Sequence, residues 1–550
     1  MPGPGGRALV FARPGPDLGL AALAGLMATT AQPPFHGTGW LIIPALAIFF
    51  AAVAAAPRPA LAGWWFGLAH QVTLLHWLFL LGPEAPIAAR GLIPATAGAA
   101  ILYCALFYLA FGWASGRVRR RLGRDAALAL MPALWCAMEA ARGGGELGFP
   151  WCLSGAAWLG TPLLPLAAAA GERGLAAASA LTALAVVALV EAARARRAGQ
   201  PVRAWRVAAG GGAVVVWLGL ALGATVGRSG PQASVVRAVF ADEPGPGRDA
   251  AQPAPGVLRV AAVQADVSLA DKWDPAKIDS TKLPYARLTA AAARRGADLA
   301  VWAETAVPDY LIHDPALLSW VRHVALDHGI AIFLGYPHAS MAPAAGTVLR
   351  FNGAGLFGAD GRLKDFYAKS HVLPFGERMP FQALFPWLGK ADFGQAEWTD
   401  GAPPLPIRLE SARGRWAFAP LICYESIFPG LSRGAVRRGA ALLINITNDG
   451  WFGVTAGPRQ HAQLARLRAA ECGVPLVRCA NNGISFVCDA RGRVVAHAGL
   501  RERTNVIADI LPAPGRTLFV RWGEWPVLAT LALWAGLAVA LTRPHAGSGP

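Results

Sequence analysis

Residues 418–430 read FAPLICYESIFPG. The apolar run 416–422 has the length and character of a buried strand, and it ends on Cys423. Free cysteines are mostly buried, inert small hydrophobes, so Cys423 alone implies little. Its position implies more, because reactive groups in α/β domains collect where strands end.

Outward from Cys423 the same texture continues. LRVAAVQ (258–264), DLAVW (298–302) and GIAIFLGYP (329–337) read as strands, as do 347–357, 441–446, 475–480, 484–488 and 493–497. Helical stretches at 282–295, 315–328, 430–438 and 458–471 separate some of them. Strands alternating with helices predict an α/β domain over 257–515. Ahead of it, the Pro-, Gly- and Ala-rich residues 229–256 read as a linker.

The rest of the chain is of another kind. The 550 residues are 55% hydrophobic and only 15% charged, too apolar for an ordinary soluble protein. Apolar stretches of about 20 residues, enough to span a bilayer, fall near 38–57, 61–81, 92–114, 172–193, 204–226 and 524–542, with shorter ones at 18–31 and 126–141. About eight transmembrane helices follow: seven in an N-terminal membrane domain (1–228), and one in the C-terminal segment 516–550. Residues 1–31 also resemble a signal peptide; an uncleaved first span is the reading adopted.

The net charge of +17 raises the question of nucleic acid, but the arginines cluster at particular turns. Arg117, Arg119, Arg120, Arg121 and Arg124 lie in one; Arg194, Arg196, Arg197, Arg203 and Arg206 lie in another. Loops 32–37, 82–91 and 142–171 carry few positive charges. Basic loops stay in the cytoplasm, so the excess is a topology signal and nucleic acid is no expected partner. The α/β domain then lies outside the cytoplasm. Seven cysteines show no CxxC and no zinc spacing, and no HExxH occurs, so no metal or cofactor is expected. A Cys472–Cys479 disulfide is conceivable in an oxidising compartment.

Two further strand ends carry unusual residues. Strand 298–302 runs into Glu304, and FYAKSHVLPFGERMPF (366–381) presents Lys369, His371 and Glu377 in an irregular stretch. A thiol acting at neutral pH needs a base and a nearby positive charge. Glu304 suits the base. Lys369 suits the charge and could also stabilise an oxyanion. Composition and spacing leave open whether the three meet.

WAET, YAKSHVLPFGE, ICYE and NDGWFG, in this order, resemble the nitrilase (carbon–nitrogen hydrolase) superfamily. With spans before and after, and with GFPW (148–151), KWD (272–274), QHAQLARLRAAE (460–471), NNGIS (481–485) and RWGEWP (521–526), the whole chain resembles the apolipoprotein N-acyltransferase family. The resemblance implies a four-layer αββα sandwich inserted before the last span. It implies a triad of Glu304 as proton acceptor, Lys369 as stabiliser of thiolate and oxyanion, and Cys423 as nucleophile. Glu377 and Glu425 match further acidic positions; Glu377 either orients Lys369 or forms a structural ion pair. The backbone N–H of Tyr424 could serve the oxyanion. Ala303 replaces a common proline, and Phe351 and Gly353 flank Asn352 in place of more usual residues, which bears on substrate fit.

The stretch FQALFPWLGKADFGQAEW (381–398) places Phe385, Trp387, Phe393 and Trp398 between Lys369 and Cys423. Either these are a lid that dips into the membrane, since tryptophan favours the interface, or they are core aromatics. Trp387, Phe393, Asn352 and Trp451 are the substrate-binding candidates. The implied reaction moves an acyl chain from a phospholipid, typically phosphatidylethanolamine, through a Cys423 thioester to the N-terminal amine of a diacylglyceryl apolipoprotein. The implied location is the bacterial inner membrane, with the catalytic domain on the periplasmic side. A membrane-tethered amidase and a transporter with an outside binding domain are the alternatives; scarce acidic residues within the spans weigh against transport.

Overall fold

The computed structural model describes residues 15–81, 90–226, 234–239, 254–342, 347–382, 384, 385, 387 and 397–543. Seven apolar helices come first: α1 (Pro16–Thr30), α2 (Ile42–Ala55), α3 (Pro59–Leu75), α4 (Ile93–Leu122), α5 (Arg124–Arg142), α6 (Ala167–Arg197) and α7 (Ala204–Val226). An eighth, α14 (Trp525–Thr542), ends the described chain. They occupy the eight stretches expected to span. Four segments, Arg90–Leu122, Leu164–Arg197, Ala204–Val226 and Trp525–Thr542, are by length and composition apolar enough to cross a membrane, and Gly39–Ala55 is a shorter apolar one. The rest are shorter or more polar. Phe49, Phe50, Phe66, Tyr108, Phe111 and Trp135 stack where α2, α3, α4 and α5 meet. Outward faces stay apolar, as in Val215, Leu218 and Leu222 of α7, which suits a lipid solvent.

Between α7 and α14 two sheets stack. The strands are β1 (Ser234–Val239), β2 (Leu258–Gln264), β3 (Leu299–Trp302), β4 (Ala331–Met341), β5 (Val348–Phe357), β6 (Leu363–Ala368), β7 (Ile407–Ser411), β8 (Gly414–Ile422), β9 (Leu442–Thr447), β10 (Leu476–Ala480), β11 (Ser485–Cys488), β12 (Val494–Ala498) and β13 (Thr504–Leu511). One sheet has the order β1-β13-β2-β3-β4-β5-β6, the other β12-β11-β10-β9-β8-β7. The centres are parallel, β2 with β3 and β4, β8 with β9 and β10; the outer pairings are antiparallel.

Alternation along each strand makes the layers. Leu258, Val260 and Ala262 of β2 face Ile444 and Ile446 of β9 and Val477 of β10 in the core between the sheets. Ala261 and Val263 turn outward, onto Tyr285 and Ala292 of α9 (Ile278–Arg294) and Val321 of α10 (Pro315–His328). Leu443 and Leu476 turn outward on the other sheet, onto Ala435 of α11 (Pro429–Arg437) and Ala465 of α12 (Ala456–Cys472). The result is the expected αββα sandwich. The short α8 (Leu269–Lys272) follows β2, and α13 (Leu518–Trp522) leads into α14.

The stretch 229–256, read as a linker, differs in one part. Ser234–Val239 (SVVRAV) pairs antiparallel with β13 as the edge strand of the larger sheet, because its valines favour extended backbone whatever the composition around them. The seven cysteines, Cys472 and Cys479 among them, are unpaired.

Candidate active site

Glu304 follows β3, Lys369 follows β6 and Cys423 follows β8. Sheet stacking brings these ends together. The Lys369 ammonium lies 3.9 Å from Oε1 of Glu304 and 2.8 Å from Oε2 of Glu377. The charges of Glu304 and Lys369 both act on the Cys423 thiol. Glu304 and Lys369 are buried, and Cys423 is half-buried.

Hydrogen bonds fix each member. Asn352 of β5 donates from Nδ2 to Oε1 of Glu304 at 2.8 Å and to Oε1 of Glu377 at 3.0 Å. The backbone N–H of Asn448, after β9, donates to Oε2 of Glu304 at 2.9 Å. Leu373 N–H donates to Oε2 of Glu377 at 2.7 Å. Glu377 therefore grips the lysine and its own loop together. Asn352, a substrate-binding candidate by sequence, bridges two carboxylates.

Cys423 has φ +52°, a left-handed conformation costly for a residue with a side chain and held only where surroundings over-determine it. Nε2 of His461 (α12) lies 3.2 Å from the Cys423 carbonyl, and Nδ2 of Asn445 (β9) donates to it at 3.4 Å. Glu425 accepts from the backbone N–H groups of Ile422 (2.7 Å), Ser370 (2.8 Å) and His371 (3.1 Å) and from the Tyr367 hydroxyl (2.6 Å). It thus staples the cysteine turn to the lysine loop. Under the turn, Asp449 pairs with Arg478 at 2.8 Å and lies 3.1 Å from Nδ1 of His461. Arg478 holds the Asp449 carboxyl well below its ordinary range, and burial, with the Arg478 charge, pushes the His461 imidazole down.

The electrostatics leave a resting thiol. Burial, then the Glu304 charge, push the Cys423 thiol up, against the pull of Lys369. Burial also raises the Glu304 carboxyl, opposed first by Lys369. For Lys369, burial favours the neutral amine, but Glu377, Cys423 and Glu304 overcome it and hold the ammonium. A high-pKa thiol beside a high-pKa carboxylate can pass its proton when an electrophile arrives; the fixed cation stabilises the charge that results.

The site abuts the membrane helices. The Tyr424 hydroxyl donates to the Gly148 carbonyl at 2.9 Å, in the loop between α5 and α6. Phe149 stacks on Trp151 and Tyr424 with centroids 5.7 and 6.3 Å apart. Gln460 of α12 accepts from the indoles of Trp77 (2.9 Å) and Trp151 (2.7 Å) and donates to the carbonyls of Pro33 and Leu74. Of the NDGWFG aromatics, Trp451 is exposed while Phe452 packs on Trp77, with centroids 5.0 Å apart. Two cavities adjoin at His371: one of about 250 Å³ beside Glu146, Arg378 and Asp400, another of about 520 Å³ among Arg173, Phe428, Arg433 and Trp525.

Residues 259–516 match the carbon-nitrogen hydrolase model, and residues 24–185 match the apolipoprotein N-acyltransferase N-terminal domain. Apolipoprotein N-acyltransferase of Azotobacter vinelandii is 32% identical over 548 residues, covering 98% of both chains. That of Caulobacter vibrioides is 33% identical over 561 residues, covering 96% of both. The chain belongs to the apolipoprotein N-acyltransferase family. Among solved structures, an amidase of the nitrilase superfamily from Nesterenkonia sp. AN1 aligns with 51% of this chain and 99% of its own, at 24% identity and TM-score 0.36. As a member of the acyltransferase family the chain is a membrane protein carrying an acyltransferase of nitrilase type.

Sequence reading missed Lys272, Asn445, Asp449, His461 and Arg478. KWD, NDG and QHAQLARLRAAE were visible as strings, but their contacts reach across 29 to 38 positions and only the fold makes them. Of the lid candidates, Phe385 and Trp387 are exposed, by 50% and 66%, which disfavours the core reading. Phe393 lies outside the described residues.

Proposed function

We propose that this protein transfers an acyl chain from a phospholipid, typically phosphatidylethanolamine, to the N-terminal amine of a diacylglyceryl apolipoprotein, with Glu304, Lys369 and Cys423 as the reacting groups. The observation that carries it is the placement of the nucleophile. Cys423 is followed at once by Tyr424, whose hydroxyl bonds a loop of the membrane helices at Gly148. A thiol so placed meets a lipid ester without drawing it far from the bilayer. The similarity to apolipoprotein N-acyltransferases over nearly the whole chain favours this reading over a membrane-tethered amidase or a transporter.

In the first half-reaction Glu304 takes the proton of the Cys423 thiol, and the sulfur attacks the ester carbonyl carbon. The oxyanion faces the Lys369 ammonium and the Tyr424 N–H. The C–O bond breaks, Glu304 returns its proton to the leaving oxygen, and a lysophospholipid departs. In the second half the neutral amine attacks the thioester carbonyl. Glu304 takes the amine proton, the C–S bond breaks, and the sulfur recovers the proton from Glu304. The amide formed is the product.

The arginine-rich turns support a periplasmic placement of the site in the inner membrane. The turn between α4 and α5 and the stretch between α6 and α7 are tied by Arg124–Glu191 (2.6 Å) and Arg203–Asp125 (2.8 Å). The catalytic part contacts the opposite ends of α5 and α6, at Gly148 and Glu172. The proposed domain limits are 1–228, 229–256, 257–515 and 516–550, with β1 falling inside the stretch read as a linker.

The test is incubation of the purified protein with phosphatidylethanolamine and a diacylated lipopeptide. The expected result is an acyl adduct on Cys423 by mass spectrometry, then an N-acylated peptide, both lost in Cys423→Ser. A parent protein that forms neither adduct nor product would refute the reading.

A further inference from the structure

Lys272 is a second ammonium near the reacting groups, and no step above uses it. It closes α8, a single turn whose Asp271 N–H is capped by Ser268 Oγ at 3.0 Å. Its side chain runs inward and is 3% exposed. Nζ donates to the main-chain carbonyl of Glu304 at 2.8 Å. Among the described residues no carboxylate oxygen lies within 4 Å of it. An ammonium buried with a carbonyl and no counter-ion within reach is a costly arrangement, of the kind that persists at functional sites.

The Glu304 turn needs such support. Thr305 has φ +47° and donates its hydroxyl to the same carbonyl at 2.8 Å. On the other side, Gly335 of β4 lies so close that a Cβ there would meet the Glu304 Cα at 2.8 Å. Lys272 and Thr305 therefore hold one end of the peptide that aims the Glu304 carboxylate, while Asn352 and Asn448 hold the other.

We propose that Lys272 is a positioning residue for the base: it anchors the Glu304 main chain and places behind the carboxylate a positive charge that keeps it ionised. The inference rests on Glu304 acting as the base for Cys423. The charged groups converging on Glu304 are then Lys272 from α8, Lys369 after β6 and Glu377 in the same loop, with Asp449 acting on the thiol. Asp271, beside Lys272 in sequence, is exposed and pairs with Lys277. Burial brings the Lys272 ammonium down to about 7, with Glu304 opposing the fall. The supporting charge is therefore present below about 7 and fades as pH rises through that value.

The experiment is alkylation of Cys423 by iodoacetamide in the full-length protein in detergent, followed against pH by peptide mass spectrometry. It needs no lipid, so it stands apart from the acyl-transfer assay. In the parent, the rate falls on the acid side as Glu304 takes a proton, and Glu304→Gln removes that limb. Lys272→Met is expected to fold, since replacing a buried ion by an apolar side chain of similar volume is often neutral or stabilising. Its acid limb should move up by about 1 pH unit, a roughly tenfold slower reaction at fixed pH below the limb. Lys272→Gln, which keeps a donor without the charge, should show the same shift, and Lys272→Arg should keep the parent limb. Folded Met and Gln variants with the parent limb would overturn the proposal. So would failure of both to fold while Lys272→Arg folds and keeps the parent limb, for that would assign Lys272 to the fold alone. A shifted limb in a protein that fails to acylate lipopeptide would leave the inference standing and remove the proposed function.

Discussion

At the scale of single residues, Glu377 is the informative case. By sequence it could orient Lys369 or merely neutralise it. Its 2.8 Å contact with Nζ, its link to Asn352 and its bond from Leu373 N–H make both true, and the two roles separate on mutation. Glu377→Gln keeps the shape and removes the charge. Lys369 loses its closest partner, and misplacement of an oxyanion-stabilising group by about 1 Å can cost on the order of 100-fold. The pH effect has a definite sign. The Glu377 charge raises Glu304, in the same direction as burial and against Lys369. Removing it lowers the pH at which Glu304 ionises. The base is active when ionised, so the acid limb of acyl-enzyme formation should move to lower pH while the plateau rate falls. Rapid-quench measurement of lysophospholipid release across pH reads both. A limb that stays fixed or moves upward would show that Glu377 does not act on Glu304 through its charge.

At the scale of elements, legibility followed the range of the interaction. β2, β3 and β8 could be read because alternation and apolar runs are local, and Glu304 and Cys423 because they follow such elements; β6 was not read as a strand, and Lys369 after it stood out through the resemblance of YAKSHVLPFGE. β1 escaped because six residues of strand sat within a Pro- and Gly-rich stretch, and the antiparallel partner that makes it a strand, β13, lies some 270 positions away. Asp449, His461 and Arg478 escaped for the same reason: a buried carboxylate, imidazole and guanidinium look like surface residues until α12 packs over β10. The 381–398 segment was legible in composition only. Phe385 and Trp387, with centroids 6.4 Å apart, are both exposed, as the proposed lid expects of these two residues. An apolar side chain moved out of water contributes about 1.5–3 kcal/mol, a factor of roughly ten or more in affinity. Trp387→Ser should therefore raise the apparent KM for phospholipid vesicles roughly tenfold while leaving Tm unchanged. A lowered Tm with unaltered KM would return Trp387 to the core reading.

At the scale of the molecule, α6 is the yardstick. Glu172, near its start, donates its backbone N–H to Glu471 of α12 at 2.7 Å and accepts from Arg468 at 3.1 Å. Glu191, near its end, holds Arg124 at 2.6 Å and Arg206 at 3.3 Å. The 19 residue steps from one to the other rise about 28 Å, close to the hydrocarbon thickness of a bilayer. The helix breaks just before Glu172, where Gly171 takes φ +70° and a Cβ would strike the Phe519 ring of α13 at 2.6 Å. Catalytic contacts therefore lie on one side of the span and arginine contacts on the other, so the orientation of the arginines decides which leaflet supplies the acyl chain. Six of the seven native cysteines are buried, which leaves a quiet background for labelling once Cys423 is Ser. In that background Arg408→Cys, on exposed β7, and Arg197→Cys, at the exposed end of α6, report the two sides. In cells with a permeabilised outer membrane, an impermeant maleimide should label the first at once and the second only after detergent. Labelling of the Arg197→Cys variant alone would put the thiol on the cytoplasmic face, where an apolipoprotein amine exported across the membrane could not reach its thioester.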